Sequence, residues 1–431
     1  MVSTRSSRPR ASEKKEPREG QALPARPYDW GLVTVVSALL LLGLLMVLSA
    51  GFPKALEVGS SPYSFALRQL QWIPVGVAAL IVAARIPYTV WERSSIPIMA
   101  IALLGLIAVL VIGDDRYGAR RTLFNGSIQP SEPAKVALLI YISAWLASKG
   151  ERIRDISYGL VPFGVLMGGV AGLIVAEPDI STTVILVAAG GLVFFLAGAD
   201  MRQILLGGAI AALTLFLLIY YNGHAQARLE SYLASYRDPL QSTEQQIAQG
   251  AQALTEGGPL GVGLGQGQAK YPARLPLAWS DNIFAVIGEE LGLLGGLLVI
   301  GLYGLFAHRG FRIASQAGDM FGALLAAGIT CLVLIQALVH MAVAVALAPP
   351  TGVPLPFISL GGSSLVTMLG ATGMLLSIGR YGHVPVGRSS SGPRMAHAHF
   401  DLRWRHRRSR VPRAGRGRKA PARSRARRRV R

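Results

Sequence analysis

The chain has 431 residues, of which 51% are hydrophobic and 15% charged, a composition too apolar for an ordinary soluble domain. Its formal net charge of +20 resembles a nucleic-acid signal until it is located: from Arg380 onward 18 Lys or Arg face one acid, Asp401, so the tail carries +17. That tail follows an apolar span and holds no reading motif, which argues against a specific nucleic-acid partner and for a cytosolic arm at anionic lipid headgroups. The single Cys331 excludes a disulfide framework and a Cys-based metal site.

Residues 1–29 are polar and aperiodic and contain several Pro and Arg, the signature of a disordered arm. The first apolar run begins only at Gly31 and is long enough to span, so no cleavable signal peptide is expected. At about 20 apolar residues per crossing, spans are predicted at 31–51, 68–84, 95–113, 133–148, 157–176, 181–198, 203–221, 283–307, 318–346 and 362–380. The fold class is therefore an all-α polytopic membrane protein with about ten transmembrane helices. It is flanked by the arm 1–29 and a disordered basic tail, 382–431, with the membrane domain at 30–381. The turn Glu177 to Ser181 is so short that the fifth and sixth spans also read as one hairpin.

Basic residues in the short loops set the orientation. Arg85, Arg93, Lys149, Arg152, Arg154, Arg202, Arg309 and Arg312 fall on the side of the tail, which puts both termini in the cytosol. Arg116, Arg120 and Arg121 fall on the opposite side, so the bias is incomplete. The connection 222–281, between the seventh and eighth spans, lies on that outer side too. It is far longer than a usual connection, and loops of that size without a function of their own are uncommon.

Four polar clusters share the outer side. In the first, GARRTLFNGSIQPSEPAK at 118–135, Glu132 and Lys135 lie three residues apart on one helix face. They read either as a salt bridge easing two charges into the headgroup region or as part of an anion site with Arg120 or Arg121. In the second, Pro178 holds Glu177 extended and Asp179 is placed to cap the sixth span. The third is the long loop, with Arg228, Tyr232, Arg237, Gln241 and Gln245 followed by GPLGVGLGQGQAK at 258–270. Its glycines permit an N–H nest for a phosphate beside Lys270 and Arg274; the alternative is a plain flexible turn. The loop ends at Ser280 and Asp281, where Ser280 fits an N-cap and Asp281 the first turn of the eighth helix, or else a general base. Burial near Trp279 and Phe284 would raise its carboxyl pKa and the helix dipole would lower it. Glu289 and Glu290, two turns deeper, are costly unless paired or facing a polar cavity. The fourth cluster, PPTGVPLPFISLGGSS at 349–364, is held extended by its prolines and suits a re-entrant wall. His340 reads as a hydrogen-bonding core residue, and no His or Cys spacing fits a metal.

With these motifs in order, GARR at 118–121, IQPSEPAK at 128–135, EPDIST at 177–182, GVGLGQGQAK at 261–270, LPLAWSDNIFAVIGEELG at 275–292 and TGVPLPFISLGGSSL at 351–365, the chain resembles the SEDS (shape, elongation, division and sporulation) family. Its members include FtsW and RodA, and IQPSE, the FISLGGSS run and the long basic termini look more FtsW-like. The resemblance implies ten transmembrane helices and a glycosyltransferase that polymerises lipid II into glycan strands, working with a class B penicillin-binding protein. Asp281 matches the family's catalytic aspartate. The family commonly has glutamine where Glu177 stands, a tryptophan where Thr122 stands, and LPEA before Thr-Asp-Phe, against Leu277, Ser280 and Asn282 here.

The chemistry that the resemblance implies is glycan polymerisation, with Asp281 as catalytic base and Arg120, Arg121, Glu132, Lys135, Asp179, Arg228 and Lys270 as expected substrate-binding residues. The partners are lipid II, undecaprenyl-linked glycan, the penicillin-binding protein and membrane lipids. The residues assign no cofactor, and a divalent cation at the pyrophosphate fits the chemistry. Rival readings are a RodA-like elongation polymerase, a lipid II flippase using the intramembrane charges Glu132 and Lys135, and a non-enzymatic scaffold whose basic tail recruits division or elongation proteins.

Overall fold

The structure, a computed structural model, describes residues 26–116, 119–123, 126, 128–235 and 245–382, with the backbone alone at Asp115, Arg116, Ala119, Arg120 and His224. Nearly all of the arm 1–29 and of the tail 382–431 lies outside these residues, as do Arg237 and Gln241. In chain order the helices are α1 Trp30–Glu57, α2 Ser64–Arg85, α3 Tyr88–Arg93, α4 Ser95–Ile112, α5 Ser131–Lys149, α6 Val161–Ala176, α7 Ile180–Leu196, α8 Met201–Tyr221, α9 Gly223–Ser235, α10 Gln245–Gly257, α11 Ile283–Glu290, α12 Gly292–Gln316, α13 Met320–Ala344 and α14 Gly362–Tyr381.

A helix stands at each of the ten predicted places. Eight helical segments are long and apolar enough to cross a membrane: α1, α2, α4, Ile156–Ala176 (α6 with the turn before it), α8, α12, α13 and α14. Of the other two, α7 is apolar but 17 residues long, and α5 carries the buried charges Glu132 and Lys135. Long apolar helices need their first N–H groups capped. Asp29, Asp179 and Asp319 do this for α1, α7 and α13, accepting from Leu32, Thr182 and Gly322 respectively.

The bundle is unevenly enclosed. The apolar windows of α13 and α14 are 72% and 67% buried within the protein, whereas that of α8 is 0% buried, leaving Leu205, Ile210, Leu213 and Phe216 facing outward as lipid-facing residues would. α14 packs chiefly on α2, and α13 on α12, α7 and α5.

Three local features depart from expectation. Asp114–Arg116 (β1) and Ala119–Thr122 (β2) form a short antiparallel hairpin in which Asp115 pairs with Arg120. The eighth span does not run unbroken from 283: α11 ends at Glu290, and the spanning helix starts at Gly292, whose φ is +67°. A side chain there would strike Leu260 and Gly261, so only glycine lets the long loop pack into the break. The expected cap at Ser280 is also corrected. The N-cap of α11 is Asn282, and Asp281 lies ahead of the helix with its carboxylate free of any capping bond.

Segment 349–361 is irregular backbone inside the bundle, which is tolerated where protein satisfies its polar groups. Tyr303 donates to Pro356 O, Gln336 to Pro354 O and Gln69 to Ile358 O, and His340 Nδ1 pairs with Val353 O. Gly43 of α1 lets the Ile358 backbone approach closely.

Candidate active site

The four polar clusters converge around Asp281. Its segment is strapped to the 349–361 loop: Leu360 N–H donates to Trp279 O (3.1 Å) and Ser359 Oγ donates to Ser280 O (2.7 Å). The Trp279 ring packs on Phe65, 4.7 Å between centroids. Asn282 joins the segment to the long loop, donating to Pro276 O (2.6 Å) and accepting from Gln246 of α10 (2.7 Å). Gln245 reaches the carbonyls of Ala273 and Arg274. A small cluster of Tyr232, Ile247, Ala346 and Leu229 gathers α9 and α10 against the end of α13.

Asp281 is half-buried. Its Oδ1 accepts from Ser280 Oγ at 2.9 Å, and the exposed Gly352 lies on the Oδ2 side, where an added methyl would make ordinary contact with Oδ2 at 3.7 Å. Burial pushes its pKa up to about 6, against the pull of the Ser280 hydroxyl and of the Arg121 and Arg228 guanidinium charges; Asp179 adds to the rise. The carboxylate thus has the properties of a base matched to neutral pH: desolvated enough to be basic, yet with two cations within electrostatic reach.

Arg121 is fixed by backbone carbonyls, its Nε donating to Glu177 O (3.1 Å) and its Nη2 to Pro178 O. These bonds leave its charge uncompensated by a salt bridge among the described residues. Arg228 lies exposed on α9. Asp179 is the α7 cap, its carboxylate accepting from Thr182 N–H and Oγ1. Arg120 has only its backbone placed, in β2.

The two buried lysines have internal partners. Lys135, 1% exposed, holds Glu132 at 2.9 Å and donates to Gln336 Oε1 at 3.1 Å. Lys270 donates to Glu290 Oε1 (2.8 Å), Gly265 O (2.5 Å) and Ser49 Oγ of α1 (3.2 Å). The glycine-rich run does form an anion-binding nest, and its anions are the protein's own. Gly265 N–H donates to Glu290, and the Gln268 and Ala269 N–H groups donate to Glu289. This arrangement pairs the two deep carboxylates and ties the long loop to α11 and α1.

Sequence reasoning missed Ser49, Gln336, Gly352 and the side chain of Glu177. Gln336 carried the one available signal, a polar amide in an apolar helix; a serine in a long apolar run and a glycine among prolines carry none. Glu177 is fully buried, and neither of its carboxyl oxygens has a hydrogen-bond partner among the described residues. Among the described residues no three His, Cys, Asp or Glu side chains are grouped to hold a metal ion.

Fold and site define a polytopic helical membrane protein with a half-buried carboxylate in the connection before α11. The chain belongs to the FtsW/RodA/SpoVE family of cell cycle proteins, whose model matches residues 29–383. It is 38% identical to a probable peptidoglycan glycosyltransferase FtsW of Trichlorobacter lovleyi, covering 81% of this chain and 93% of that one. It is 36% identical to stage V sporulation protein E of Bacillus subtilis, over 82% and 97%. Among solved structures it matches a chain of a peptidoglycan synthase complex that coordinates polymerization and crosslinking, with TM-score 0.66 at 27% identity over 82% and 97% of the two chains. It also matches the rod shape determining protein RodA of Thermus thermophilus, with TM-score 0.60 at 26% identity over 82% and 98%.

Proposed function

We propose that this protein is a peptidoglycan glycosyltransferase of cell division that polymerises lipid II at the outer face of the cytoplasmic membrane, with both termini in the cytosol. The observation that carries this reading is the Asp281 carboxylate, desolvated by its surroundings and flanked by the Arg121 and Arg228 charges. Asp281 takes the proton from the 4-hydroxyl of an acceptor lipid II. The freed oxygen attacks the anomeric carbon of the lipid-linked donor, and the bond to undecaprenyl pyrophosphate breaks with its electrons on the departing phosphate. Arg121 and Arg228, with Arg120 in the same hairpin, hold the pyrophosphates and stabilise the charge that develops there. Asp179 orders the turn that Arg121 grips. Glu132, Lys135 and Lys270 support the site from beneath. Division is favoured over elongation by the FtsW names of the relatives, and the complex among the structural matches supports a crosslinking partner, a class B penicillin-binding protein. Against a flippase, Glu132 and Lys135 are spent on each other in a buried pair.

The test is glycan synthesis from lipid II by purified protein with its partner. Asp281→Asn keeps the shape of the side chain and removes the base, and is expected to lower polymerisation by about 10² to 10⁴ while the protein stays folded. Undiminished glycan synthesis by that variant refutes the assignment.

A further inference from the structure

The run 257–269 carries no charged residue, and three apolar side chains stand out from it: Leu260 is 74% exposed, Val262 44% and Leu264 48%. Apolar side chains exposed together mark a surface that meets lipid or protein. The backbone beneath them is paired inside the molecule. Gly258 O and Pro259 O accept from the N–H groups of Leu293 and Leu294 at the start of α12, and Val262 and Gly263 N–H donate to the carbonyls of Glu289 and Glu290. Gly261 N–H donates to Gly257 O, and Gly265 N–H to the Glu290 carboxylate. Irregular backbone is tolerated at an apolar boundary when its polar groups are paired in this way.

Two helices measure the depth of this turn. α1 and α12 are level at their far end, where Asp29, the cap of α1, pairs with Arg309 at 3.5 Å. The hydrocarbon of a bilayer is about 30 Å thick and a helix rises about 1.5 Å per residue, so a crossing takes about 20 residues. Counted from Trp30, that distance ends at Ser49, whose hydroxyl donates to the Glu290 carboxylate. On α12 the apolar run 292–307 supplies only about 16 residues, or ~24 Å, roughly one turn too few. The turn 258–264 is strapped on where that last stretch is missing. Its side chains continue the apolar surface of Leu293, Leu294 and Leu297, which are exposed on α12.

We propose that the glycine-rich turn 258–264 is a membrane anchor: Leu260, Val262 and Leu264 enter the hydrocarbon edge of the leaflet at the Gly292 end of α12 and hold the base of the long loop 222–281 to the lipid surface. The inference concerns how the loop is held, and it stands apart from the role of Asp281.

The test uses the purified full chain in nanodiscs of phosphatidylcholine, with no partner protein. Cys331→Ser removes the single, buried cysteine. Nitroxide spin labels are then placed through Leu260→Cys, Val262→Cys and Leu264→Cys, with Leu297→Cys as the lipid-facing reference and Glu256→Cys, exposed on α10, as the aqueous one. Collision with oxygen, which concentrates in hydrocarbon, is compared with collision with a water-soluble nickel chelate. The oxygen-to-nickel ratio at the three turn positions is expected to exceed that at Glu256 several-fold and to approach that at Leu297. A ratio equal to that at Glu256 puts the turn in water, and labels shielded from both reagents put it under protein; either result overturns the proposal. Leu260→Asp with Leu264→Asp sets two charges at the boundary, where they are costly, and the Val262 label is expected to lose most of its excess ratio. An unchanged ratio means that the backbone strapping alone holds the turn, and overturns the anchoring. The Leu297 label in the same double variant reports whether the bundle is intact; if it is not, the three single-label ratios decide alone.

Discussion

A carboxyl group buried without a hydrogen-bond partner is held in its neutral form, and Glu177 is in that position. Burial pushes it up to about 8 from an ordinary 4.5, with Asp179 adding to the rise and Arg121 opposing it. The SEDS pattern commonly places glutamine here, the neutral isostere of a protonated glutamate. Because the folded value lies above the unfolded one, the folded state binds the proton more tightly. The stability this contributes is complete below pH about 4.5 and is lost as pH rises through about 8. Glu177→Gln should therefore flatten the fall in Tm between about pH 5 and 8, measured by thermal unfolding in detergent; an unchanged slope would show that Glu177 is not the titrating group. With Asp281 as the base, wild-type kcat should rise with pH through about 6 as its carboxyl loses the proton, read from the pH profile of glycan synthesis.

At the scale of elements, the long loop is held by charge pairing at the α11–α12 break. The run 261–270 looked equally like a phosphate nest or a slack turn in sequence, since glycines permit either. The backbone N–H groups do converge on anions, namely Glu289 and Glu290, which lie only about 20 residues downstream. What could not be read was that the apolar stretch after Asp281 bends at Gly292 and turns those glutamates toward the loop, because the hydropathy of α11 and α12 is continuous across the break. Lys270→Met strands the Glu290 carboxylate and is expected to destabilise the loop by about 3 to 5 kcal/mol. Adding Glu290→Gln removes the stranded charge and should restore part of that loss. Faster proteolysis of segment 258–275 in the single variant than in the double one checks both; equal rates would mean that the pair does not hold the loop.

At the scale of the whole molecule, the enclosed helices α13 and α14 form the rigid part against which the site is built, while α8 presents its apolar side chains outward. The basic excess lies beyond the membrane domain, in residues 385–431. Removing them should leave polymerisation of lipid II by the purified protein in detergent unchanged, because the attraction that a basic tail contributes is to anionic lipid, which is absent there. A collapse of activity in detergent, where no anionic bilayer is present, would place the tail in the catalytic apparatus.

The helical segments of the bundle were legible from the chain alone, because crossing a bilayer demands runs of about 20 apolar residues and such runs need no tertiary information. Asp281 was legible as a residue, by its place at the end of a polar loop and its motif, but its role was not: a cap and a base have the same local spacing. Tertiary structure decided between internal partners for each charge. It gave Lys135 to Glu132 and Gln336, and Lys270 to Glu290 and Ser49, and it left Arg121 beside Asp281 without a salt bridge among the described residues. Hydrophobicity is a sum over neighbours in the chain, whereas the environment of a charge depends on which distant groups are folded against it, so the first is written in the sequence and the second exists only in the fold.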